Sequence, residues 1–374
     1  MHLARPFSIL VKPVSADCNL RCQYCFYLDH LHFYPDAAVH RMSDATLERL
    51  VASYLATDQP TYGFIWQGGE PTLLGLEFFR RVTDLQQRHG RPGSIVANGL
   101  QTNATLITEE LARHLAEYRF LVGVSLDGPP AVHDAYRRTS AGAGTHAAVM
   151  RGIDRLRRAG AEVNVLTLVT AANVGRAREV YRYLCDQGFF FHQYIPCVEF
   201  DTQGRLQPYA VTGETWGQFL CELFDEWHPR DTHRVSVRLF DSIVHKLVLG
   251  RPTDCTMDND CRQYLVVEYN GDVFPCDFFV QHELKLGNIH TDPWERLRQS
   301  PVYAAFGQQK LNWPSTCAGC RYLDLCHGGC PRHRSVTGGA AEVQNVLCAG
   351  WKRFFQHAAP HLERLAADVR SELA

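Results

Sequence analysis

From residue 7 to about residue 200 the chain alternates short apolar, β-branched runs with longer segments whose apolar positions recur every three to four residues. The runs at 7–11, 62–66, 94–97, 120–126, 162–169 and 189–195 predict strands, each closed by a loop rich in Gly, Asn, Asp or Pro. Between them, residues 43–54, 76–88, 108–118, 146–158 and 177–186 predict amphipathic helices, the first with Ser43 as its N-cap. Six strands alternating with helices predict an α/β fold, a partial (β/α)6 TIM-like barrel whose functional groups sit at the carboxyl ends of its parallel strands. Beyond about residue 236 the pattern breaks into short runs, clustered cysteines and the turn pairs Asn270-Gly271 and Gly328-Gly329. Such sequence buries little apolar area on its own and predicts a metal-stapled domain. The expected organisation is therefore a barrel over 1–235, a stapled domain over 236–349 and a C-terminal helix over 350–374 that packs back on the barrel.

Composition narrows the setting. The 374 residues are 45% hydrophobic and 21% charged, enough for a large core, and a net charge of -2 provides no basic field for nucleic acid or an anionic membrane. The apolar stretch before Lys12 is short and no small-residue cleavage site follows it; no apolar run approaches the roughly 18 residues of a membrane span. A cytoplasmic location is expected, where 14 cysteines mean metal ligation or redox work more often than disulfides. Cys185 and Cys221 read as core residues, and Cys197 ends the sixth strand near the mouth of the site.

The other cysteines are ordered. Cys18-x3-Cys22-x2-Cys25, followed by Phe26 and Tyr27, comes directly after the first strand. Three thiolates on one tight loop hold three irons of a cubane cluster and leave the fourth iron open to a small molecule, whereas a structural zinc needs four ligands. Gly68-Gly69-Glu70-Pro71 follows the second strand, and Ser125 and Asp127 follow the fourth. A second set reads Cys255-x5-Cys261, Gly271-x4-Cys276, Cys317-x2-Cys320-x5-Cys326-x3-Cys330 and Cys348. Eight thiolates complete two four-iron clusters or two zinc sites, and spacing alone leaves both open.

Together the cysteine loop and the Gly-Gly-Glu-Pro turn resemble the radical S-adenosylmethionine superfamily, and the later cysteines resemble its SPASM extension. Segments 67–79, 100–106, 120–128 and 273–279 extend the resemblance, over nearly the whole chain, to the anaerobic sulfatase-maturating enzymes; it departs at Ala104, where that family usually has glycine, and at 198–213. The resemblance implies S-adenosylmethionine and three [4Fe-4S] clusters as cofactors. Cys18, Cys22 and Cys25 would ligate the first cluster, Cys255, Cys261, Cys276 and Cys330 the second, and Cys317, Cys320, Cys326 and Cys348 the third. Gly68, Gly69 and Glu70 would hold the amino group of the methionine moiety, Arg137 its carboxylate, Ser125 and Asp127 the ribose and methionine end, and Tyr24 and Val198 the adenine. The implied activity is oxidation of a cysteine or serine of a sulfatase polypeptide to Cα-formylglycine by a 5'-deoxyadenosyl radical, with Asp277 as base and Gln67 and Tyr27 orienting the substrate side chain. Implied partners are an unfolded or nascent sulfatase peptide with a Cys/Ser-x-Pro-x-Arg motif and a one-electron donor such as flavodoxin or ferredoxin, acting on a monomer.

Two other functions use the same cysteines. A SPASM peptide maturase forming thioether crosslinks commonly carries a precursor-recognition domain before the cluster loop, for which a first strand at Phe7 leaves no room. A non-catalytic carrier or zinc-stapled scaffold needs no three-thiolate loop. Metal analysis of the anaerobically purified protein separates these: about 12 iron atoms per chain are expected, and zinc without iron would contradict the cluster reading.

Overall fold

A computed structural model describes residues 6–334 and 344–373. Ten strands run in chain order among the described residues: β1 (Ser8–Lys12), β2 (Thr61–Trp66), β3 (Ile95–Thr102), β4 (Leu121–Ser125), β5 (Glu162–Val169), β6 (Phe191–Pro196), β7 (Ser236–Val237), β8 (Tyr264–Glu268), β9 (Asp272–Phe274) and β10 (Gly287–Asn288). The chain forms two compact units that interleave in sequence, one of residues 1–125, 137–163 and 262–307, the other of residues 126–136, 164–261 and 308–374.

In the first unit the strand order is β10-β9-β8-β1-β2-β3-β4, parallel from β8 through β4 and antiparallel over β8-β9-β10. β1 lies inside the sheet, so Ile9 and Val11 are fully buried, as are Phe64 and Trp66 of β2 beside them. Helices follow the strands as the periodicity predicts. The helix Asp44–Leu55 is capped by Ser43, whose hydroxyl accepts from Thr46 N at 3.1 Å, and Glu109–Glu117 is capped likewise by Thr108.

The structure departs from expectation at β3, which continues five residues past Ala97 and ends at Thr102. Asn98-Gly99 reads as a turn but stays extended because Asn98 is buried with partners. Its side-chain oxygen accepts from Trp66 Nε1 and Gln86 Nε2, both at 3.0 Å, and its amide donates to Gln86 Oε1 at 2.8 Å. Tertiary hydrogen bonds override the local turn preference. A second departure is the pairing of β8 with β1, which ties residues 262–307, expected in the stapled domain, into the barrel sheet. A third is the helix Arg238–Leu249, where only short runs were expected.

The second unit carries parallel β5-β6-β7 and a helical layer. Its C-terminal helix, Cys348–Leu373, starts two residues before the expected position 350, so Cys348 is its first residue. It packs on the helix Gly213–Trp227 through glycine. A Cβ on Gly217 would meet Gly350 Cα at 2.6 Å, and one on Gly350 would collide with the Gly213 carbonyl. Trp216 and Trp351 meet edge to face with centroids 5.8 Å apart beside this contact.

Gly350→Val should therefore destabilise the protein by about 3 kcal/mol, read as a fall in Tm. Gly175→Ala, where an added Cβ meets nothing within 4 Å, should leave Tm unchanged; equal effects of the two would contradict this packing.

Candidate active site

Both β1 (SILVK) and β8 (YLVVE) are apolar runs closed by one charge, and parallel register pairs Lys12 directly with Glu268. Both residues have zero exposure, with Lys12 Nζ 2.8 Å from Glu268 Oε1. Asn270-Gly271 then turns the chain, with Gly271 at φ 88° donating to Glu268 O at 2.9 Å, and β9 returns it to Cys276 and Asp277. This brings Asp277 Oδ1 to 3.6 Å from the same ammonium.

The other Asp277 oxygen, Oδ2, accepts a short hydrogen bond from Tyr27 OH and a second from Gln67 Nε2 at 3.1 Å; the Gln67 amide also reaches Tyr27 OH at 3.1 Å. Lys12 Nζ lies 4.7 Å from the Tyr27 ring centroid. The other two expected catalytic side chains, Tyr27 and Gln67, thus converge on the buried Asp277 carboxylate. Burial pushes the Asp277 carboxyl above the usual carboxylate range, and the opposing pull of Lys12, Tyr27 and Gln67 does not cancel it. For Lys12 burial works against the charge, but Glu268 and Asp277 outweigh it and hold the pKa above the ordinary lysine value. Burial and then Asp277 push the Tyr27 phenol far up, so it stands as a hydrogen-bond donor.

Next to this carboxylate is the cysteine loop. Cys18, Cys22 and Cys25 are free thiols; burial and then Glu70 push Cys18 up to about 12, while burial and then Cys22 push Cys25 up to about 11. Three thiols on one loop, with Cys22 buried and raising the pKa of half-buried Cys18 and Cys25, ionise together only against a cationic metal centre, so this donor set fits an iron-sulfur cluster. The Gly-Gly-Glu-Pro turn is pinned to the segment leading into Cys18: Gly69 N donates to Ser15 O and Glu70 N to Asp17 O, both at 2.8 Å. Gly68 has φ 118°, and a Cβ there would lie 2.7 Å from Ser15 O; a Cβ on Gly69 would collide with the Asp17 carbonyl.

Glu70 itself is fully buried, and its carboxylate accepts from Thr72 N at 3.1 Å, Thr102 Oγ1 at 2.7 Å and Asn103 N at 2.7 Å. Its side chain therefore joins the ends of β2 and β3, and Asn103 Nδ2 in turn reaches Cys18 Sγ at 3.8 Å. Ser125 Oγ accepts from Gln101 Nε2 at 3.1 Å. Buried Arg137 lies over the Tyr24 ring, 5.3 Å from its centroid, and its charge lowers the pKa of Cys25. Ala104 holds φ 59°, the left-handed region that favours glycine.

Asp127 and Val198 belong to the second unit and are buried there; Asp127 Oδ1 accepts from Leu168 N at 3.0 Å, and Asn173 Nδ2 donates to its carbonyl at 3.1 Å. In that unit Cys317, Cys320, Cys326 and Cys348 line one cavity closed by Trp351 and Phe355. Burial, then Cys348, pushes Cys326 up to about 11; Cys261, also near 11, is raised by burial and by Cys330. Cys255 is exposed on the turn Cys255–Met257. Cys276 lies in the first unit, with Tyr264 OH 3.7 Å from its sulfur.

Sequence reading passes over Lys12 and Glu268, because Lys12 reads only as the charge that ends an apolar run. The available signal is the pair of strands closed by opposite charges. Asn103 carries no comparable signal, since its role depends on where β3 ends.

Residues 13–184 match the family model of the radical SAM superfamily, and residues 255–321 match that of the SPASM iron-sulfur cluster-binding domain. The chain is 35% identical to the serine-type anaerobic sulfatase-maturating enzyme of Bacteroides thetaiotaomicron over 99% of this chain and 94% of that one. It is also 35% identical to the cysteine-type enzyme of Clostridium perfringens over 98% of this chain and 100% of that one. Among solved structures it superposes on native anSMEcpe with bound AdoMet at a TM-score of 0.89, with 35% identity, 97% of this chain and 100% of that one covered. The same protein with AdoMet and the Cp18Cys peptide gives a TM-score of 0.90, with 35% identity, covering 97% and 99%. The chain belongs to the anaerobic sulfatase-maturating enzymes, radical SAM proteins with a partial barrel, a SPASM domain and a C-terminal helix.

Proposed function

We propose that this protein oxidises a cysteine or serine side chain of a sulfatase polypeptide to Cα-formylglycine, with Asp277 as the base. The observation that carries this reading is the buried Asp277 carboxylate, placed one residue after a cluster cysteine and addressed by Tyr27, Gln67 and Lys12. When bound, S-adenosylmethionine at the Cys18, Cys22 and Cys25 cluster supplies the radical that takes a hydrogen from the substrate Cβ, and the SPASM clusters accept the second electron. Arg137, Gly68, Gly69, Ser125 and Asp127, with Tyr24 and Val198 toward the adenine, are the residues to hold that cofactor. Glu70 contributes through its backbone, its side chain being engaged within the fold.

Asp277 removes the thiol or hydroxyl proton. A carboxyl raised above its ordinary range by burial is a stronger base and is better matched to a thiol than an exposed aspartate. Tyr27 and Gln67 keep Oδ2 oriented before substrate enters and then share their donors with the incoming sulfur or oxygen. With cysteine, water hydrolyses the resulting thioaldehyde to the aldehyde and releases sulfide. The substrate segment is an unfolded Cys-x-Pro-x-Arg or Ser-x-Pro-x-Arg peptide, the priming electron comes from a flavodoxin- or ferredoxin-type donor, and the enzyme acts as a cytoplasmic monomer. No helix among the described residues is long and apolar enough to cross a membrane.

The reconstituted enzyme, kept anaerobic with a reductant, should convert such a peptide to the aldehyde with one 5'-deoxyadenosine released per product. Asp277→Asn should still cleave S-adenosylmethionine but form aldehyde at least about 100-fold more slowly. Wild-type product rates from Asp277→Asn, or a thioether in place of the aldehyde, would overturn the reading.

A further inference from the structure

A second fully buried lysine lies among the SPASM cysteines of the second unit. Lys310, on the short turn Gln309–Leu311, has zero exposure, and its ammonium donates to Thr256 O at 2.9 Å and Gly329 O at 2.7 Å. Those carbonyls belong to residues next to the expected ligands Cys255 and Cys330. No carboxylate of the described residues ion-pairs with it, in contrast to Lys12. A buried ammonium held only by carbonyl dipoles is costly unless an anion lies close by. Here the groups that can supply that anion are the neighbouring cysteines: burial raises the pKa of Cys261, Cys326 and Cys330, and the Lys310 charge opposes that rise.

A second cation reinforces the arrangement. Arg334 donates from Nη2 to Lys310 O at 3.0 Å and from Nη1 to Asn312 O at 2.8 Å; burial lowers its pKa, and the charges of Cys261, Cys330, Cys317 and Cys326 oppose that fall. The lysine is thus held against the segments that carry Cys255 and Cys330, with the arginine on its own carbonyl beside it.

We propose that Lys310 tunes the reduction potential of the SPASM clusters: its buried charge stabilises the more negative, reduced state and makes them better acceptors for the second electron of the reaction. This rests on the eight cysteines being cluster ligands. A four-iron cluster with four thiolates is already anionic, and adding an electron in a low-dielectric interior is unfavourable without a fixed cation. The electron balance is simple. The substrate carbon radical loses one electron as its C–S or C–O bond becomes double, Asp277 takes the proton, and one SPASM cluster gains the electron. Lys310 touches no substrate; it is a positioned charge acting through the clusters.

The test uses the full chain with Cys18, Cys22 and Cys25 replaced by alanine, so that only the SPASM clusters contribute to the signal. This background should hold about 8 iron atoms; if it holds none, the cluster reading fails and the role of Lys310 falls with it. With iron in place, an EPR-monitored redox titration of Lys310→Met and Lys310→Gln should show one SPASM couple shifted about tenfold toward the oxidised state, which is 59 mV lower for one electron. Gln keeps a donor for the two carbonyls without the charge, whereas Lys310→Arg keeps the charge and should retain the parent potential. Unchanged potentials in the iron-replete Met and Gln variants, or equal potentials in the Gln and Arg variants, would overturn the proposal.

Discussion

The architecture of the candidate active site depends on Lys12 being fully buried against Glu268. An ammonium and a carboxylate removed from water each lose several kcal/mol of solvation, which their mutual attraction offsets only in good geometry. Parallel register between β1 and β8 supplies that geometry by making the two residues cross-strand partners at the strand ends. The same pairing leads into the β8-β9 hairpin, which delivers Asp277 to within 3.6 Å of the same ammonium. One buried cation thus joins the sheet that ends in the cysteine loop to the segment bearing the proposed base.

The glycine turn after β2 serves the same end. Gly68 and Gly69 admit no side chain, so the turn closes directly on Ser15 and Asp17, immediately before Cys18. Glu70 then joins β2 to β3 through Thr102 and Asn103, and Asn103 reaches back to the Cys18 sulfur. A backbone network fixes the cluster loop from one side and a charged network fixes Asp277 from the other. Positioning of this kind is what a proton transfer next to a carbon radical requires.

Much of this was legible in the sequence, for identifiable reasons. Strands β1, β2 and β5 appear as contiguous apolar or β-branched runs, and the Ser43 and Thr108 caps stand where the helical periodicity starts. Cysteine spacing is dictated by cluster geometry and survives any surface change, so the metal chemistry was readable before the fold. Asn98 was not readable as a strand residue, because its partners Trp66 and Gln86 lie on other elements. Lys12 and Glu268 were missed for a related reason: a charge at a strand end looks like a solvent boundary until a second strand, some 250 residues later, buries it. Pairings between distant segments leave no local pattern, and here they hold the proposed base in place.

The central claim is that Lys12 holds Asp277 in register for proton removal, beyond balancing the charge of Glu268. Lys12→Met alone leaves Glu268 buried without its cation and should cost about 3–5 kcal/mol of stability. The decisive measurement is the double variant Lys12→Met with Glu268→Gln, which removes both members of the pair, assayed side by side for Tm, cofactor cleavage and aldehyde formation. The account predicts that Tm recovers most of the loss and cofactor cleavage persists, while aldehyde formation stays at least about tenfold below wild type. Full recovery of aldehyde formation together with Tm would show that Lys12 only neutralises Glu268, and would contradict the account.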